Sequence, residues 1–141
     1  MYILDTNVVS ELRKAGSGRE NTDVVRWVRA IADELLYLSA ITLYELEIGV
    51  LQIERRDPRQ GVALRSWIDG GVREAFRDKI LPAGEGVALR AASFIIPDPR
   101  PVRDALIGAT AAEHRFSLVT RNVRDFRGMG VEVINPWEAT S

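Results

Sequence analysis

Short runs of β-prone apolar residues alternate with longer stretches of helical periodicity, and this alternation limits the fold of the chain more than any other feature. Tyr2–Leu4 reads as a short buried strand. Leu35–Ser39, Lys79–Pro82, Ser117–Thr120 and Val131–Ile134 read the same way. Between them the pattern turns helical. Thr6 can cap a helix over Asn7–Arg13. Thr22–Ala32 carries Val25, Val28 and Ala32 on one stripe, with Trp27 and Ile31 beside it. Thr42–Arg55 places Leu43, Leu46, Val50 and Ile53 at three- and four-residue spacing and is ended by Pro58. Gly61–Arg77 is expected to be helical in two pieces, broken or kinked near Gly70-Gly71, and Gly86–Ile96 and Val102–Glu113 are further helices. Two stretches suit neither state. Lys14–Asn21, with Gly16, Ser17 and Gly18, reads as a loop, and the three prolines of Pro97–Pro101 remove donors and fix φ. Strands alternating with helices predict an α/β fold with a central parallel sheet flanked by helices. No repeat or second domain is visible, so a single domain over residues 1–141 is expected.

Composition removes several chemistries. The chain has no cysteine, which excludes disulfides, zinc thiolates and thiol nucleophiles. His114 is its only histidine, so histidine-based zinc sites and most Ser-His-Asp catalysis have almost nothing to use. A content of 46% hydrophobic and 28% charged residues excludes a disordered chain. No apolar run approaches the ~20 residues that span a bilayer and no signal peptide is visible, so a cytoplasmic protein without membrane contact is expected. The net charge of −1 excludes a wholly basic nucleic-acid binder. All but Lys14 and Lys79 of its 19 cations are arginine, a residue suited to phosphate and carboxylate forks, although genome composition accounts for such a bias equally well.

Acidic residues stand where these elements end or begin. Asp5 closes the first strand, and Glu45 lies early in the third helix. Asp104 opens the small-residue helix with Ala105, Gly108, Ala109, Ala111 and Ala112, and Asp125 follows Thr120-Arg121-Asn122-Val123-Arg124. In a parallel sheet the carboxyl ends of the strands share an edge where ligands bind. Carboxylates gathered there repel one another, and a divalent cation with a taste for hard oxygen, Mg²⁺ or Mn²⁺, relieves the repulsion. Structural duties compete with this reading. Asp5 could be a helix cap, but Thr6 or Asn7 could serve instead and leave it spare. Asp104 would favour its helix dipole, and Asn122 or Asp125 could cap a short helix. Glu45 flanks the apolar stripe, whereas Glu47 points toward solvent. Gly49 costs ~1 kcal/mol of helix propensity and suggests a close packing contact. Asp98 lies in the proline run and reads as a turn residue. Trp27, Trp67 and Trp137 read as core or interface residues, and His114 as a surface or edge residue.

Ile3-Leu4-Asp5-Thr6-Asn7, Glu45-Leu46-x-x-Gly49, Asp104 with Ile107-Gly108-Ala109-Thr110-Ala111, and Thr120-Arg121-Asn122-x-x-Asp125-Phe126 occur here in one order and spacing. In these four pieces, nearly end to end, the chain resembles a PIN domain and specifically the VapC-type toxin ribonucleases. Arg103 and Gly108 depart from the small apolar residues usual at their places. The resemblance implies a single PIN-like domain and a ribonuclease that binds Mg²⁺ or Mn²⁺ through Asp5, Glu45, Asp104 and Asp125. Thr6, Thr120 and Asn122 would support those carboxylates. RNA would be cut by metal-activated water to leave 5′-phosphate and 3′-hydroxyl ends. Arg13, Lys14 and Arg19 in the first loop, with Arg121 and Arg124, are candidates for a basic rim that guides the RNA. The resemblance further implies a VapB-like antitoxin that inserts a cation among the carboxylates. It also implies a homodimer and a heterotetramer or larger assembly with that partner. Two rivals stay open: a non-catalytic PIN-fold module that binds RNA or protein, and a metal-dependent phosphatase.

Overall fold

The structure, a computed structural model, describes residues 1–138, so the last three residues of the expected domain lie outside it. Five strands form one sheet: β1 (Tyr2–Leu4), β2 (Leu36–Ser39), β3 (Ile80–Leu81), β4 (Ser117–Val119) and β5 (Val133–Ile134). Their order is β3-β2-β1-β4-β5 and every pairing is parallel. Tyr2 stands opposite Leu36 on one side and Ser117 on the other, which makes the first strand of the chain the middle of the sheet. That order was not derivable from the strands alone, because short apolar strands of similar composition carry no information about which neighbours they choose.

Successive side chains of a strand point to opposite faces. Leu4, Leu36, Leu38 and Val119 enter one core, shared with Val8 and Val9 of α1 (Thr6–Arg13), Val24 of α2 (Thr22–Ala30), and Leu46 and Val50 of α3 (Ala40–Arg56). Ile3 and Leu118 enter the other, with Ile107 and Ala111 of α7 (Val102–His114), Phe126 and Met129. Helix α6 (Glu85–Ile95) packs on α7 through Val87, Ala91, Ala105 and Ala109. The result is the expected sandwich, a parallel sheet covered by helices on both faces. Fully buried Leu or Ile side chains of this kind each contribute ~2 kcal/mol relative to exposure.

One local expectation is met and another corrected. The helix after Pro58 is in two α-helical pieces interrupted around Gly70-Gly71, without a break in the chain's helical course. It begins at once as α4 (Pro58–Ser66), widens into a π-helical stretch at Trp67–Val72 and closes as α5 (Arg73–Ala75). A side chain at Gly70 would meet open space, and one at Gly71 would meet only the Trp67 ring, so the two glycines pass through the wide turn without a steric reason to stop it. Gly49, by contrast, is not the expected close-packing position, since nothing lies within 4 Å of where its Cβ would be. The close approach occurs at Gly108, where a Cβ would collide with the Met129 sulfur and touch Phe126. The small-residue face of α7 is therefore used against the segment after β4.

Candidate metal centre

The segments that leave β1, β2 and β4 carry three of the four acids, and the fourth opens the helix that leads into β4. Asp5 follows β1, Glu45 lies on α3 just after β2, Asp104 sits in the first turn of α7, and Asp125 lies in the 3-10 turn Val123–Phe126 beyond β4.

Asp5 is the most tightly held of the four. It is only 6% exposed, and its backbone N–H donates to the Val119 carbonyl at 2.8 Å. It is also the cap of α1: its Oδ1 accepts the Thr6 N–H at 2.8 Å. The expectation that Thr6 or Asn7 would free it from this duty is thus corrected. The extended backbone at Asp5 aims the carboxylate back along the new helix, whereas Thr6 is already helical. Asp5 Oδ2 accepts the Thr120 hydroxyl at 2.7 Å and an Asn7 amide N–H at 3.3 Å. Burial raises the Asp5 pKa and the nearby charge of Glu45 adds to the rise, while the hydrogen bonds from Thr120, Thr6 and Asn7 oppose it.

Thr120, fully buried, is the joint between the two ends of the chain. Its hydroxyl donates to Asp5 and accepts from Asn7 Nδ2 at 3.2 Å and from the Asn122 N–H at 3.0 Å. Asn122 therefore meets the site through its backbone. Its exposed side chain makes no cap bond to the turn that follows, so the expected capping role is not seen. Asn7 was not singled out from sequence, although it stands in the Leu-Asp-Thr-Asn run. Its Oδ1 also accepts the Arg121 N–H at 3.2 Å, which makes it the second strut between α1 and the segment after β4.

Glu45 has both oxygens engaged. Oε1 accepts the Thr6 hydroxyl at 2.7 Å, and Oε2 lies 3.2 Å from Nη1 of Arg103. Buried Thr42 stands 3.4 Å from the Thr6 hydroxyl and backs it. Two residues on, Glu47 faces the other way, but not into open solvent as expected. It takes a two-pronged pair from Arg65 at 2.7 and 2.8 Å, and Glu54 and Asp69 share that guanidinium.

Asp104 is half-buried and has the most perturbed carboxyl of the site. Its pKa is raised to about 6, first by burial and then by the charges of Asp125, Asp5 and Glu45; Arg103 works against the rise. The four carboxylates are thus close enough to act on one another electrostatically. They are not drawn into a closed set, however: among the described residues no three or more Asp, Glu, His or Cys side chains are gathered so as to hold a metal ion. Asp5 and Glu45 are turned to partners of their own, Thr6, Asn7 and Thr120 for the first and Thr6 and Arg103 for the second. The donor set, all carboxylate with an excess of negative charge, fits a hard divalent cation.

A cleft of about 760 Å³ opens beside Thr6 and Glu45. Arg13, Lys14 and Arg19 line it, as do Gly49, Leu64 and Trp67. The open space over Gly49 is part of this cleft. Arg121 instead lies over the Trp137 ring at 5.4 Å. Trp27 meets Tyr2 edge-on at 5.2 Å and Trp67 borders the first core, in keeping with the structural roles expected of them. His114 ends α7 against Phe116, ten residues and ~15 Å of helix from Asp104. No helix among the described residues is long and apolar enough to cross a membrane.

Known proteins resemble this chain in sequence and fold. The PIN domain family matches residues 2–131. The VapC ribonuclease Y4jK of Sinorhizobium fredii is 34% identical over 98% of this chain and 99% of its own length. Toxin FitB of Neisseria gonorrhoeae is 32% identical over 97% of this chain and 99% of its own length. The crystal structure of FitAcB from Neisseria gonorrhoeae superposes with a TM-score of 0.87 and 33% identity, covering 99% of this chain and all of that one.

Proposed function

This chain belongs to the PIN domain family, and from that premise we propose that it is a metal-dependent ribonuclease, the toxin of a VapBC-type toxin–antitoxin pair. It would act in the cytoplasm as a single domain spanning the chain. The observation that carries the reading is Asp104. A half-buried carboxyl pushed up to about 6, first by burial and then by three neighbouring acids, marks a place where negative charges are gathered at the strand ends.

Asp5, Glu45, Asp104 and Asp125 would hold Mg²⁺ or Mn²⁺. Such an ion, when bound, lowers the pKa of the attacking water and neutralises charge on the scissile phosphodiester. The rest falls to the chain. Thr120 and Asn7 fix Asp5 from behind, and Thr6 fixes Glu45, so two of the four carboxylates keep their direction while the others adjust. Arg13, Lys14 and Arg19 along the cleft attract an RNA backbone that the acids alone would repel. No imidazole is required, consistent with a lone histidine far from the acids.

A VapB-like antitoxin would place an arginine or lysine in the same pocket, since a guanidinium forks onto carboxylates and substitutes for the metal's charge. The toxin would form a homodimer and a heterotetramer or larger complex with it. The test is cleavage of an end-labelled RNA by the purified protein. Cutting that requires Mg²⁺ or Mn²⁺, stops with a chelator and leaves 5′-phosphates is expected. RNA binding without cutting would select the non-catalytic module, and release of terminal phosphate alone would select the phosphatase.

A further inference from the structure

Among the described residues Arg103 is the one guanidinium paired with an acid of this site, and it comes from the chain itself. It occupies the first turn of α7, where the helix dipole disfavours a cation, and the Pro101 cap supplies no side-chain hydrogen bond to offset it. Its side chain is 56% exposed, yet it reaches across to α3 and meets Glu45, 21% exposed, at 3.2 Å. Glu45 is thus divided. Thr6 holds Oε1 in the site and Arg103 holds Oε2 toward α7. A divalent ion among Asp5, Asp104 and Glu45 would bring two positive charges to the oxygen this guanidinium faces.

We propose that Arg103 is a positioning residue that competes with the divalent cation for Glu45: it holds the Glu45 carboxylate in the metal-free protein and releases it on metal loading. The chain then carries a weak, tethered stand-in for the cation, so metal affinity is set partly by how easily one exposed ion pair opens. This rests on the metal-dependent reading of the site. It goes beyond that reading by making a residue that departs from the family pattern part of the site's control.

The experiment is Mn²⁺ titration by calorimetry of the full chain, wild type, Arg103→Gln, Glu45→Gln and the double variant, at physiological ionic strength. Arg103→Gln is expected to tighten Mn²⁺ binding about fivefold, the upper end for one exposed ion pair. Its effect is expected to shrink to about twofold or less when Glu45 is already Gln, because only screened, through-space repulsion remains. Arg103→Lys, which keeps the charge and a single contact, is expected to behave as wild type. An equal factor in both backgrounds would overturn the proposal, leaving Arg103 a distant charge. So would weaker Mn²⁺ binding in Arg103→Gln, which would make it an orienter of Glu45 for the metal. Wild type that binds Mn²⁺ and loses it with Asp5→Asn, but shows an additive cycle, refutes the competition alone. Wild type that neither binds Mn²⁺ nor cuts RNA refutes the ribonuclease reading and this inference with it.

Discussion

Two acidic clusters of the molecule start from the same helix and end in opposite electrical states. On one side of α3, Glu47 joins Glu54 and Asp69; these three carboxylates share Arg65, and Asp69 also meets Arg73, at 2.7–3.8 Å. On the other, Glu45 joins Asp5, Asp104 and Asp125, and among the described residues only Arg103 is paired with any of them. The first cluster raises the Arg65 pKa further, as satisfied ion pairs do, and lowers that of Glu47. In the second, burial and then the neighbouring acids raise Asp104 to about 6. The difference teaches how to tell a structural network from a candidate functional one. Both are rich in acids. The first sets three carboxylates against two guanidiniums and the second four against one, and the less compensated of the two lies at the strand ends beside a cleft.

The largest test of this contrast is Asp5→Asn. Asn is as good a helix cap as Asp, so α1 and the fold should survive. RNA cleavage is expected to fall roughly a thousandfold, the scale of losing a principal electrostatic group. Melting curves with and without Mn²⁺ check the cause: wild type gains stability from the ion and the variant does not. Equal gains would remove Asp5 from the ligands.

Next comes the spacing of the less compensated side. Gly108 lets α7, which carries Asp104, lie against Phe126, the neighbour of Asp125. Gly108→Ala is expected to cost ~1–3 kcal/mol in denaturant unfolding through overpacking, and to weaken Mn²⁺ binding as well. Gly49→Ala is the control. It meets open space on a helix and is expected to stabilise by up to ~1 kcal/mol.

A smaller effect concerns pH. Asp104 has a folded pKa of about 6 against an ordinary 3.8, so the stability it contributes is present below the ordinary value and is lost as pH rises through 6. The metal-free protein should melt lower at pH 7 than at pH 5. Asp104→Asn should flatten that slope and raise the pH 7 midpoint by about 3 °C, the equivalent of ~1 kcal/mol in a domain of this size. A slope unchanged by the substitution would place the excess charge elsewhere. Smallest of all is Arg65→Gln in the better compensated cluster: a slight loss of melting temperature and no change in Mn²⁺ binding. A change in metal affinity there would erase the distinction between the two clusters.

Much of this was readable from residues. The alternation of apolar runs located all five strands, and the end-of-element acids named the segments that meet at the edge. What escaped is instructive. The capping role of Asp5 depends on the helix beginning already at Thr6, one residue before Asn7, which no residue type dictates. Glu47 looked solvated because its partner Arg65 is eighteen positions away on α4. Gly49 and Gly108 are both glycines within helices, and only the partner surface tells the open position from the crowded one. Asn7 and Thr42 act by hydrogen bonds across elements, and Arg103 could be noticed as a cation out of place but not assigned to Glu45. Local pattern carries the elements; pairings between distant segments belong to the packed chain.

The central position of β1 also has a consequence for the protein's birth. Asp5 is made well before the Thr120 hydroxyl that fixes it, which follows 115 residues later. At ~5–20 residues per second that interval is on the order of ten seconds. During it, β1 can pair with β2, and β2 with β3, but Asp104, Thr120 and Asp125 do not yet exist beside it. The pocket is assembled only when the segments that carry those residues dock onto β1. A nascent chain therefore gathers its four acids only after most of the sheet has had time to form.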